Sequence, residues 1–97
     1  MVEKIFNKEC FAWSNDTKYS MTFIAHNICY ANDRLRILGW MSLNEVYDLL
    51  GFPRELEAQV IGWKFTGEKD NECIEIETVE EQDSSIKIIF KNIVDLL

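Results

Sequence analysis

The hydrophobic period of this chain changes once, at Gly62, and that change restricts the available folds more than any other feature. Upstream, apolar residues recur at helical intervals; downstream they alternate with polar ones. A first helix is predicted from Ser20, as N-cap, through Leu38, with the stripe Ile24, Ile28, Ala31, Leu35 and Leu38 on one side and Gly39 as its stop. A second begins at Ser42, where Ser-Leu-Asn-Glu forms a capping box with Glu45, and runs from Leu43 to Leu50 before Gly51. It is expected to bury Leu43, Val46, Tyr47 and Leu50. Phe52-Pro53 forces an extended turn, because the residue before proline avoids the helical region. Arg54 to Gln59 has room for one further helical turn.

Beyond Gly62, Trp63 to Thr66, Cys73 to Val79 and Ser85 to Lys91 read as strands. Ile74 and Ile76 share a face opposite Glu75 and Glu77, and Ile86, Ile88 and Phe90 lie opposite Lys87 and Lys91. Glu80-Glu81-Gln82-Asp83-Ser84 is the hairpin loop, and the expected register sets Lys87 beside Glu77 or Glu75. Each strand thus hides one face and solvates the other. The predicted fold is α+β: two to three N-terminal helices packed on a C-terminal three-stranded antiparallel sheet, in a single domain over residues 1–97. Residues 1–18 show no clear period.

Charge is the second organising feature. Glu68, Asp70, Glu72, Glu75, Glu77, Glu80, Glu81 and Asp83 are eight acids in a segment whose one base is Lys69, which leaves −7 there. The remaining 81 positions hold nine acids and nine bases, so they sum to zero. One panel therefore carries the whole net charge, and it attracts positive partners while repelling anionic ones. Lys4, Lys8 and Lys18 are scattered, so direct nucleic-acid binding is disfavoured.

Composition excludes several classes. A hydrophobic fraction of 47% with 12% aromatic residues is incompatible with intrinsic disorder. Three cysteines, Cys10, Cys29 and Cys73, without a C-x-x-C spacing read as reduced, at least partly buried thiols of a cytosolic protein. The Asn15-Asp16-Thr17 sequon has no other sign of secretion beside it. The first residues lack the apolar core of a signal peptide, and no stretch approaches the roughly 18 apolar residues of a membrane span. Neither a signal peptide nor a membrane segment is expected.

Catalytic constellations are weak. His26 and Cys29 are three apart on a helix, but a helix interior lacks the oxyanion donors that acyl transfer requires. A zinc site from His26, Cys29, Cys73 and Cys10 has the spacing of no known finger or ribbon. No phosphate-binding, dinucleotide or nucleophile-elbow motif occurs, so no enzyme, no metal and no cofactor is expected. Asn32, Asp33, Arg34, Asp48 and Arg54 are read as a polar network between helices. Trp40 and Trp63 are expected to close the core, and Trp13 is either an exposed anchor for a partner or a further core residue. The tail residues Ile93, Val94, Leu96 and Leu97 either pack back on the helices or form an apolar edge for a partner or a second copy.

The middle of the chain resembles a bacteriophage and prophage family of unknown function found mainly among Gram-positive hosts. The residues that carry this are Ala31 to Leu35 (ANDRL), Leu43 to Asp48 (LNEVYD), Leu50-Gly51, Pro53-Arg54 and Gly62-Trp63. The resemblance implies the two helices, the turn between Gly51 and Arg54, the entry into the sheet, and a phage or mobile-element setting. It implies no activity and supplies no catalytic residues. Two departures stand out: Ala58 occupies a loop position where relatives tend to have glycine, and the N-terminal hydrophobic segment of longer relatives is absent.

The functional expectation is a non-enzymatic acidic protein in the host cytoplasm. It would inhibit a nucleic-acid-handling defence protein, a CRISPR or restriction component, by occupying that protein's basic surface. Same-face carboxylates on a strand repeat at about 6.7 Å, close to the phosphate interval along one nucleic-acid strand. The alternative is an assembly domain that self-associates through its helices and apolar tail.

Overall fold

The computed structural model describes residues 2–97 and opens with a strand, β1 (Val2–Phe6), where the sequence shows no clear period. A lysine on the inward face hides the alternation. Lys4 lies between Val2 and Phe6, pairs with Glu55, and holds its ammonium 5.2 Å from the centre of the Tyr47 ring. The stem packs on apolar surface while the charge finds a partner.

Helix α1 (Thr17–Leu38) starts earlier than the Ser20 cap predicts. Asp16 is the N-cap, its carboxylate accepting from the Lys18 N–H, whereas Ser20 is buried and exchanges hydrogen bonds with the Ser14 backbone. Gly39, at φ +86°, ends the helix with its N–H on the Leu35 carbonyl. Ile24, Ile28, Ala31 and Leu35 face the core as predicted, but Leu38 is 48% exposed because the chain turns away at Gly39. A short strand, β2 (Trp40–Ser42), leads directly into helix α2 (Leu43–Leu50). Both halves of the Ser42–Glu45 capping box form, and all four predicted apolar residues of α2 are buried. The further turn is a 3-10 turn at Glu57–Gln59.

The strands β3 (Ile61–Lys64), β4 (Glu75–Glu80), β5 (Ile86–Lys91) and β6 (Val94–Asp95) complete the chain. The fold is α+β with two helices, and its sheet arrangement corrects the expected single three-stranded sheet. One antiparallel sheet has the order β1-β5-β4; a second, smaller one has the order β2-β3-β6. The strand around Trp63 therefore does not join the hairpin, and β1 takes that place. Gly62 explains why β3 pairs elsewhere: a Cβ there would lie 2.0 Å from the Met41 carbonyl oxygen, so only glycine lets β2 approach so closely. Trp63, 1% exposed, joins the sheets by donating its indole N–H to the Lys91 carbonyl at 2.8 Å.

The core lies between α1, α2 and the inner face of β1-β5-β4, where Phe6, Ile86, Ile88 and Phe90 are buried. Tyr47 meets the rings of Phe52 and Phe90 nearly edge-on at 5.8 and 6.0 Å. One tryptophan expectation changes and an open one is decided. Trp40 does not close the core but is 49% exposed, because its side chain lies on the opposite face of β2 from the buried Met41. Trp13 is no exposed anchor: it packs against the core, and its indole N–H donates to the Ser84 carbonyl at 3.0 Å. No helix is long and apolar enough to cross a membrane among the described residues.

Candidate interaction surface

The eight acids follow one strand and the loops at its two ends. Glu68, Asp70 and Glu72 precede β4, Glu75 and Glu77 stand on its outer face, Glu80 ends it, and Glu81 and Asp83 belong to the turn into β5. At about 3.4 Å per residue, the six residues of β4 separate the two groups by roughly 20 Å. The panel is thus an elongated stripe with acidic ends, wider than the hairpin alone.

Its members have different duties. Glu72 fastens its own loop: its carboxylate accepts from the Thr66 hydroxyl at 2.7 Å and from the N–H groups of Thr66, Gly67 and Lys69. Those bonds, the Thr66 hydroxyl first, hold its carboxyl below the usual carboxylate range. Asp83 does the same in the hairpin turn, where the Ser85 hydroxyl and N–H lower its pKa. Glu77 pairs with Lys91 at 3.2 Å. The opposite-charge pairing across the hairpin is therefore real but uses Lys91, since Lys87 faces Val79 in the actual register. Glu68, Asp70, Glu75, Glu80 and Glu81 form no salt bridge among the described residues, although Glu75 lies opposite Lys91 and accepts from the Asn92 amide at 3.4 Å.

The other singled-out polar residues do not converge. Asp48 and Arg54 form a two-pronged pair that holds the Asp48 carboxyl low, Asp33 pairs with Arg36, and Arg34 sits over the Tyr30 ring. The expected network between helices is replaced by these separate local contacts, because Asp33 and Arg34 point to solvent. His26 is exposed on α1, and so is Cys29, which corrects the expectation that all three thiols are at least partly buried; Cys73 is half-buried, and Cys10 is buried with its thiol pKa raised by desolvation. No three His, Cys, Asp or Glu side chains are placed to share a metal ion among the described residues.

A groove lies between α1 and β4. It is open, encloses about 640 Å³, and runs past Met21, Ala25, Cys29 and Arg36 on the helix and past Ile74, just before β4, to Ile76 and Thr78 on the strand. Sequence holds a trace of it: Met21, Ala25 and Cys29 recur at i, i+4, i+8 as a second stripe of small or apolar residues beside the core one. In the tail, Ile93 packs on the core and β6 pairs with β3, but Val94 is 42% and Leu97 96% exposed.

The motifs that carry the family resemblance serve the fold. Asn32 grips the backbone of Ile74, accepting from its N–H at 2.7 Å and donating to its carbonyl at 3.0 Å. Asn44 does likewise with Glu55, both bonds being 2.9 Å. Gly51, at φ +89°, caps α2 where the Phe11 ring occupies the space a Cβ would need. Tyr47 fills the core, where burial, helped by the Glu55 charge, pushes its phenol up to about 12. These residues fix how helices, loop and sheets join, and none of them belongs to the acidic stripe. No curated protein and no solved structure matches the chain. Residues 3–95 match the family of unknown function DUF6353, and the chain belongs to that family.

Proposed function

We propose that this protein is a non-enzymatic binding protein of phage or mobile-element type. Its acidic stripe occupies the basic surface of a host protein that handles nucleic acid, as a CRISPR or restriction component does, and so inhibits it. The observation that carries this reading is the set of five carboxylates, Glu68, Asp70, Glu75, Glu80 and Glu81, that form no salt bridge among the described residues and lie along one exposed strand and its flanking loops. Carboxylates outside salt bridges remain available to an external cation, and their combined field accelerates encounter with a basic surface. The resemblance to phage and prophage sequences supplies the setting.

The test replaces Glu68, Glu75, Glu80 and Glu81 by Gln and Asp70 by Asn, leaving the loop-fastening Glu72 and Asp83 intact. Expressed in a host with an active CRISPR or restriction system, the natural chain is expected to restore phage plating and the variant to lose that effect. Equal plating with both chains would remove the acidic stripe from the mechanism.

A second reading is self-association, favoured by one observation. Trp40, Leu96 and Leu97 border a shallow depression at the free end of the smaller sheet, where Trp40 and Leu97 are largely exposed. A dimer through this patch would persist in high salt and dissociate on Leu97→Asp, both measurable by light scattering.

A further inference from the structure

We infer that β4 and α1 together form a strand-accepting groove, and that its occupant is an extended segment of a partner protein in which apolar and basic residues alternate. This deepens the proposed function, since it rests on the acidic stripe to select the partner, and adds a backbone contact that the stripe alone does not require.

Three observations converge on the same place. First, β4 is an edge strand, paired with β5 on one side only. In an antiparallel ladder, bonded and unbonded residue pairs alternate. The Glu81 N–H donates to the Ser85 carbonyl in the same register, so the odd-numbered residues of β4 bond to β5 and the backbone groups of Ile76 and Thr78 point to the open edge. Second, this edge already accepts a strand-like partner at one end. The Asn32 amide binds the N–H and carbonyl of Ile74, two residues before Ile76, as a neighbouring strand would. The next backbone groups in that row have no such clamp among the described residues. Third, the edge borders the mostly apolar groove of about 640 Å³, whose helix wall includes Met21, Ala25 and Cys29, with the polar Asn32 and the cationic Arg36 further along it.

A strand added there continues the pleat. Its inward side chains enter the groove beside Ile76 and Thr78, and its outward ones emerge beside Glu75 and Glu77. The inward positions therefore take apolar residues and the outward ones lysine or arginine, with Glu68 and Asp70 near one end and Glu80 and Glu81 near the other. The same charge pattern disfavours a second copy as occupant: pairing two β4 edges brings Glu75 and Glu77 of both copies together, and like charges across strands repel.

The probe is an acetylated, amidated octapeptide of alternating Lys and Val, added to the full chain. Backbone amide exchange at Ile76 and Thr78 is expected to slow at least about tenfold on saturation. The Ala25→Arg variant is expected to abolish that protection with its thermal midpoint unchanged, because Ala25 is an exposed helix position. No protection at either residue up to millimolar peptide, or protection that survives Ala25→Arg, would overturn the strand-accepting groove. A Ser-Val octapeptide separates the two readings: equal protection by it upholds strand addition while overturning selection by the acidic stripe.

Discussion

Gly62 is the residue on which the two-sheet arrangement most depends. A methyl group there meets the Met41 carbonyl and the Ser42 Cα, both backbone atoms with little freedom to retreat. Gly62→Ala is expected to lower stability by about 1–3 kcal/mol, read as a lower denaturant midpoint with unchanged slope. Tyr47 gives a pH signature. Its folded pKa of about 12 exceeds the ordinary value of 10.0, so the unfolded chain releases its proton first as pH rises. The stability that follows from the neutral phenol is complete below pH 10.0 and is lost as pH rises towards about 12. Tyr47→Phe should flatten the decline in this window, on the order of 2 kcal/mol, when denaturation midpoints are compared across it.

At the scale of elements, side-chain amides replace backbone partners at two joints. Asn32 ties α1 to the start of β4, and Asn44 ties α2 to the loop at Glu55. Asn32→Ala leaves the Ile74 N–H and carbonyl without their partner, which costs about 1–3 kcal/mol when such groups are shielded from water. Faster amide exchange at Ile74, with α2 unaffected, is the expected local readout. The loop before β4 should loosen in acid. Glu72 has a folded pKa below its ordinary 4.5, so its contribution is present above that pH and fades as pH falls through the lower folded value. Protection of the Thr66 and Gly67 amides, taken relative to their intrinsic exchange rates, should fall in that range, and Glu72→Gln should lower it already at neutral pH.

For the whole molecule, the net charge of −7 and its concentration along one strand set the balance between folding and recognition. Unpaired like charges destabilise a compact state by self-repulsion. Neutralising Glu68, Asp70, Glu75, Glu80 and Glu81 is therefore expected to raise the thermal midpoint, and moderate salt should do the same for the natural chain. A calorimetric scan of both proteins at low and physiological ionic strength checks this. It also ensures that any lost inhibition by the variant is not a folding defect.

Local interactions determined what was legible in the sequence. The end of α1 at Gly39, both limits of α2, the capping box and the turn between β4 and β5 are all set within a few neighbouring residues, by caps, glycines and side-chain period. The acidic segment was equally plain, because charge is additive along the chain. Only the tertiary structure decided that β1 pairs with β5 from the opposite end of the chain, and that β3 leaves the hairpin for β2 and β6. Strand pairing across such distances depends on which edges meet after the helices have packed. An inward lysine that finds Glu55, and a glycine whose missing Cβ admits Met41, are recognisable only once those partners are in place. The groove beside β4 belongs to the same category. It is a space between elements, and no single segment encodes it.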